Sequence, residues 1–132
     1  MKEHKARAWL RAAYILGALI DAVMVPVMLI PELARVLWGF SGFSPTYRYA
    51  MMMGAALMLG WTLLLIWACI KPIERRGVAL LTIVVILGIA AANIYSVITG
   101  LISASRMILS WVMQAILAAF FTIGYFGSRE KK

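Results

Sequence analysis

Apolar residues in this chain form four long blocks, and the short segments between them carry most of the charges. The blocks span residues 9–30, 47–70, 78–102 and 107–126. A helix needs about 20 apolar residues to cross the hydrocarbon core of a bilayer, whereas a strand needs about ten residues that alternate between apolar and polar. The blocks have the helical length and lack the alternation. The pattern therefore predicts a single domain, residues 1–132, with four transmembrane helices.

The segment 31–39 after the first block has the features of a short helix of its own. Pro31 suits the first helical position because its missing N–H would have no partner there, and Glu32 suits the positive end of the helix dipole. Gly39 follows the last apolar residues of the segment. We expect this helix to lie along the outer interface of the membrane.

Prolines also mark both limits of the second block. Ser44 and Pro45 predict an N-cap followed by the first helical residue. Lys71 precedes Pro72, and a residue before proline is pushed out of the helical region, so the second long helix is expected to end there.

Composition supports a membrane protein and excludes a water-soluble domain. Apolar residues make up 64% of the chain and the mean hydropathy is +0.94, against an apolar share of about 45–50% in soluble domains. A cleaved signal peptide is the alternative interpretation of the first block, because basic residues precede it. The block continues past Asp21 to Ile30 without a small-residue cleavage motif, which favours a retained helix.

The distribution of basic residues predicts the orientation, because cytoplasmic loops retain lysine and arginine. Of the 13 basic residues, ten fall on one side of the four spans: Lys2, Lys5, Arg7, Arg11, Lys71, Arg75, Arg76, Arg129, Lys131 and Lys132. The other three are Arg35, Arg48 and Arg106. Both termini are therefore expected to be cytoplasmic. We expect a multi-pass protein of the cell membrane, most simply the inner membrane of a prokaryote.

The net charge of +8 raises the question of nucleic acid, but the basic residues form short clusters beside helix ends. Such clusters are attracted to anionic lipid headgroups by about 1 kcal/mol per residue. We expect Lys71, Arg75 and Arg76 to contact headgroups on the cytoplasmic side. The predicted partner is the bilayer, and no nucleic acid is expected.

A few polar residues lie within the predicted spans, and they are the candidates for chemistry. Counting depth along each helix places five of them near one layer: Asp21, Thr62, Asn93, Ser96 and Gln114. An acid at the bilayer centre costs about 2.5–3.5 kcal/mol on insertion scales. No basic residue shares its depth, so we expect Asp21 to be protonated, with Asn93 or Gln114 as a hydrogen-bond partner. Its role is open between an exchangeable proton site and a neutral acid that only joins helices.

Two further groups of candidate residues are defined by their predicted position in the membrane or on a helix. The first would form an outer mouth to the polar layer: Glu32, Arg35, Arg48 and Arg106. The second is a ridge of small residues at every fourth position of the third long helix, on which another helix backbone could pack closely: Gly88, Ala92, Ser96 and Gly100. The partner of the ridge is either a helix of the same chain, which is the commoner case, or a second copy.

The sequence lacks the residues that several classes of enzyme require. The only cysteine is Cys69 and the only histidine is His4, so the sequence predicts no thiol-redox pair, no haem ligand pair and no metal site. No glycine-rich phosphate loop is present. We expect no cofactor and no enzymatic activity.

The plan of four helices with one acid in the first resembles that of the small multidrug-resistance transporters, in topology alone. Those proteins carry glutamate in place of Asp21 and a glycine-rich motif in the third helix, neither of which this sequence has. Two hypotheses remain. One is a carrier or permeation unit for a proton or small cationic solute, expected to be a homodimer. The other is a non-catalytic accessory, lipid-binding or assembly protein whose polar layer is structural.

Overall fold

The computed structural model describes residues 3–129, and in that part of the chain five α-helices and no strand are found. The helices are α1 (Glu3–Leu29), α2 (Pro31–Trp38), α3 (Pro45–Ile70), α4 (Arg76–Ile98) and α5 (Ala104–Gly127). All but α2 are long and apolar enough to cross a membrane. The predicted all-helical bundle of membrane type is confirmed. Lys2, Lys131 and Lys132, which entered the charge argument, lie outside the described residues.

The local signals around the prolines are confirmed. The backbone N–H of Tyr47 donates a 3.2 Å hydrogen bond to Oγ of Ser44, which caps α3 directly before Pro45. The same helix ends at Ile70, one residue before Lys71. The short helix α2 begins at Pro31 as predicted.

Several helix boundaries differ from the prediction, and the two largest differences are at the start of α1 and the end of α4. Glu3, rather than residue 9, begins α1, because polar residues continue the helix beyond the apolar block. The helix α4 ends at Ile98, four residues before the predicted limit of 102. There the backbone N–H groups of Leu101 and Ile102 both donate to the carbonyl oxygen of Ser96, at 2.9 and 3.2 Å. Gly100 makes this turn with a φ of 74°, which glycine adopts without strain.

The helix α1 is the centre of the bundle. It packs against α3 on one side and α5 on the other, whereas α4 packs mainly against α5 and has few contacts with α1 and α3. Gly17 permits the close approach, since a Cβ atom there would lie 3.0 Å from Cδ1 of Leu65 and 3.3 Å from Cζ of Phe121. The ring of Tyr14 meets that of Phe121 edge to face, with centroids 5.7 Å apart.

One end of the bundle, here called the basic end, holds the start of α1, the α3–α4 turn and the end of α5. The hydroxyl of Tyr14 donates to the carbonyl oxygen of Arg75 at 3.0 Å. The guanidinium of Arg75 lies 3.7 Å from the ring centroid of Trp67 and donates to the carbonyl oxygen of the same residue. Nη1 of Arg76 donates to the carbonyl oxygen of Ser128 at 2.9 Å. The turn is thereby joined to α1, α3 and α5.

The opposite end is called the α2 end. Gly39 closes α2 with a φ of 77°, and its N–H donates to the carbonyl oxygen of Arg35 at 2.9 Å. Nη1 of Arg106, at the start of α5, donates to the carbonyl oxygen of Val36 at 2.8 Å. A cation near the last carbonyls of a helix also favours its dipole. These bonds hold α2 against the rest of the bundle.

Candidate functional site around Asp21

Asp21 lies half-buried on the face of α1 that packs into the bundle. Gly17, one turn earlier on the same face, lies against Leu65 of α3. The two helices run antiparallel, so one turn further along α1 corresponds to one turn back along α3. Asp21 is therefore level with Trp61.

The contact with α5 places the same residue close to the middle of the bundle. Gly17 also lies against Phe121, so Asp21 is level with Leu117, one turn back along α5. Leu117 is 13 residues after Ala104 and ten before Gly127, the two ends of α5. Asp21 is thus level with the middle of α5.

The hydrogen bonds expected for the polar layer are not formed between helices. In the part of the chain that the structure describes, Asp21, Asn93 and Gln114 make no side-chain hydrogen bond. Oγ1 of Thr62 donates to the carbonyl oxygen of Met58 at 2.9 Å, within α3. Oγ of Ser96 donates to the carbonyl oxygen of Ala92 at 2.8 Å, within α4. The carboxyl group of Asp21 is thus left without a bonded partner in the described chain.

Asn93 and Ser96 lie at a different depth from Asp21. Sγ of Cys69 is 4.0 Å from the carbonyl oxygen of Arg11, which makes the end of α3 level with Arg11. The short turn then returns the chain to the start of α4 at nearly the same level, so Asp21 is level with Ile86. Asn93 is seven residues beyond Ile86, or about 10 Å at 1.5 Å per residue. This register does not align Asn93 and Ser96 with Asp21, because α4 spans Arg76–Ile98 and not 78–102.

The indole of Trp61 is a member of the site that the sequence analysis missed. Its Nε1 atom is buried and has no hydrogen-bond partner in the described chain. By the register it is level with Asp21, the one carboxyl group at this depth. Tryptophans of membrane proteins are enriched at the headgroup level. A tryptophan in the middle of a predicted span was the signal that could have identified it.

Beyond the level of Asp21, α4 contributes no buried residue to the bundle. The buried residues of α4 all lie in its half near the basic end: Val78, Ala79, Thr82 and Ile86. Beyond Ile86 no residue of α4 is buried, and α3 and α4 have few contacts. We call the region between α3 and α4 beyond Ile86 the α3–α4 groove.

The small-residue ridge of α4 is not covered by another helix of the described chain. A Cβ atom added at Gly88 or at Gly100 would have no neighbouring atom within 4 Å. Ala92 is exposed and Ser96 is half-buried. Of the two alternatives for the ridge, packing against a helix of the same chain is not observed at Gly88 or Gly100 in the described residues.

Two of the predicted mouth residues have contacts of their own. Arg106 is bonded to α2, and the guanidinium of Arg35 lies 5.3 Å from the ring centroid of Phe43. Glu32 and Arg48 are exposed. Among the described residues none of the four forms an ion pair. A charged rim around a common opening therefore remains a prediction.

Comparisons with known proteins give no family: no protein-family model matches the chain, and no curated protein or solved structure matches it either. Within residues 3–129, no group of three His, Cys, Asp or Glu side chains is placed to hold a metal ion. By the same register Thr62 and Gln114 lie within one turn of the level of Asp21, so the chemistry available there is that of one carboxyl group, one indole N–H, one hydroxyl and one amide.

Proposed function

We propose that this protein is a small carrier or permeation unit of the cell membrane, in which Asp21 exchanges a proton or binds a small cationic solute. Both termini lie in the cytoplasm in this proposal, because basic residues concentrate at that end of the bundle. Asp21 is the exchanging group, and the α3–α4 groove is the route by which it is reached.

The observation that carries the proposal is the lack of a hydrogen bond to Asp21. A carboxyl group at mid-span costs about 2.5–3.5 kcal/mol. If it only joined helices, that cost would be offset by a bond to Asn93 or Gln114, and neither bond is present. An acid retained at this depth without such a bond is explained by an exchangeable proton or a cationic ligand.

A second copy of the chain belongs to the proposal. Near the level of Asp21 α4 stops contributing buried residues, and α3 has few contacts with α4. One chain does not enclose a path, whereas a second chain packed over the groove and the exposed ridge of α4 would. We therefore propose a homodimer as the functional unit.

The uncovered ridge also favours a second candidate function. Helices approach closely where small residues repeat, and Gly88 and Gly100 both have open space beside them. An accessory or assembly protein could use this ridge to hold a helix of another protein, with Asp21 donating a hydrogen bond to that helix. In this case Asp21 would have a structural role in assembly.

A flux measurement separates the two functions. The full chain is reconstituted in vesicles that hold a pH-sensitive dye, and proton entry is followed with and without tetraphenylphosphonium as a model cation. For the carrier, Asp21→Asn abolishes entry while leaving a folded protein, because asparagine keeps the shape but cannot release a proton. The control Glu74→Gln removes an exposed acid at the basic end and should leave entry unchanged. Equal flux through the parent and Asp21→Asn would remove the carrier proposal.

A further inference from the structure

The basic end of the bundle contains a cleft that the proposed function does not use. Two arginines of α1, Arg7 and Arg11, line one side of it, and residues 70–74 line the other. Its volume is about 180 Å³. The cleft therefore lies between the first helix and the α3–α4 turn, at the level where α3 ends.

The charges in this cleft are only partly neutralised. Lys71 pairs with Glu74 at 3.1 Å, and Arg7 pairs with Glu3 at 3.2 Å. Both pairs are exposed, and such pairs are weak because water and salt screen them. The guanidinium of Arg11 has neither an ion pair nor a hydrogen bond within the described chain. Three cations and one carboxylate line the cleft, so it attracts anions.

Two other arginines of the basic end are bonded to carbonyl oxygens within the bundle. Arg75 is stacked on Trp67 and bonds its carbonyl oxygen, and Arg76 bonds the carbonyl oxygen of Ser128. From the sequence we had predicted Lys71, Arg75 and Arg76 as the headgroup contacts. Of the three, only Lys71 lines the cleft.

The remaining walls indicate the kind of anion. Ile70, Pro72 and Ile73 are apolar, and they suit the glycerol and first methylenes of a lipid better than a hydrated free ion. A guanidinium presents its N–H donors in a planar fork that matches the oxygen atoms of a phosphate group. The cleft also lies where α3 leaves the apolar span, which is the depth of lipid phosphates.

We propose that this cleft binds the phosphate group of an anionic phospholipid, with Arg11 as the main ligand and with Arg7 and Lys71 beside it. The apolar residues of the turn contact the glycerol region of the same lipid. The site is independent of Asp21, so it holds whether or not the protein carries solutes.

The test measures phosphatidylglycerol binding to the purified full chain in detergent, by native mass spectrometry and by the shift in melting temperature. Arg11→Gln should weaken binding by about tenfold or more, because it removes a charge-assisted forked contact as well as a charge. Lys5→Gln is the control, since Lys5 is an exposed cation near the start of the same helix but does not line the cleft. It should weaken binding by at most about fivefold, the general effect of one charge near a headgroup. Arg11→Lys should fall between the two.

Several outcomes would overturn the proposal. Equal loss in Arg11→Gln and Lys5→Gln means that only general charge attraction acts. Stabilisation by phosphatidylcholine equal to that by phosphatidylglycerol means that the anionic character is not recognised. Stabilisation by inorganic phosphate alone, without added lipid, means that the cleft is a site for a free anion. Lys71→Gln, on the opposite wall, repeats the test if Arg11→Gln does not yield folded protein.

Discussion

The hydroxyl of Tyr14 donates a hydrogen bond to the carbonyl oxygen of Arg75, which is 3.0 Å away and 61 residues further along the chain. The same side chain is fully buried and meets Phe121 edge to face. A single residue near the basic end therefore connects α1 with the α3–α4 turn and with α5. It holds the turn whose arginines, Arg75 and Arg76, contact Trp67 and Ser128.

Removal of this hydroxyl should lower stability without changing the fold. In Tyr14→Phe the ring contact with Phe121 is kept, and only the bond to Arg75 is lost. We expect the free energy of unfolding to fall by about 0.5–1.5 kcal/mol, the net contribution of one hydrogen bond. Thermal melting in detergent is the measurement. Tyr95→Phe is the control, because the side chain of Tyr95 is 65% exposed and should give no change.

The protonation state of Asp21 can be observed directly. The structure leaves this carboxyl group half-buried at mid-span without a hydrogen bond, so we expect the protonated form to predominate at neutral pH. Infrared difference spectra should show a protonated carboxyl band at this pH that disappears at higher pH and is missing from Asp21→Asn. If the group is already ionised at about pH 5, as an aspartate in water is, the physical basis of the proposed function is removed.

The orientation gives a prediction that depends on the basic residues alone. Reporters fused to the N-terminus, to the α3–α4 turn and to the C-terminus should all be found in the cytoplasm. Reporters placed after α2 or in the connection at residues 99–103 should be found on the other side. A C-terminal reporter outside the cytoplasm would contradict the arrangement with four spans and two cytoplasmic ends.

The exposed ridge of α4 should affect assembly rather than folding. Gly88→Leu meets open space within the chain, so its melting temperature as a monomer should match that of the parent. If a second copy packs on the ridge, the added side chain should lower the dimer fraction measured by cross-linking in membranes. Gly60→Leu is the matched control, because Gly60 of α3 also has no atom within 4 Å. Equal dimer fractions in both variants would exclude the ridge as the contact between copies.

Helix boundaries that are set by residues close together in the sequence were predictable. Ser44 and Pro45 determine the start of α3 through one cap and one missing N–H, whereas Pro31 marks the start of α2 and Gly39 its end. The apolar blocks gave the number of long helices, because their length is set by the thickness of a bilayer.

The levels of residues on different helices relative to one another were not predictable. Asn93 was placed beside Asp21 because depth was counted from a predicted helix end. The real end of α4 is set by Gly100 and by two backbone N–H groups that share one carbonyl oxygen. The sequence had placed Thr62, the neighbour of Trp61, in the polar layer, but only the contact between Gly17 and Leu65 aligns Trp61 with Asp21. Periodicity gives the face of a helix, but only packing gives its register.

The central position of α1 has a consequence for the order in which the bundle can be assembled during synthesis. Its principal neighbours are α3 and α5, whereas α4 has α5 as its principal neighbour. As the chain leaves the ribosome, α1 and α3 can pair as soon as α3 is made, but α4 must wait in the lipid until α5 has been inserted. A chain that stops before Ala104 would keep the α1–α3 pair and leave α4 almost without a partner.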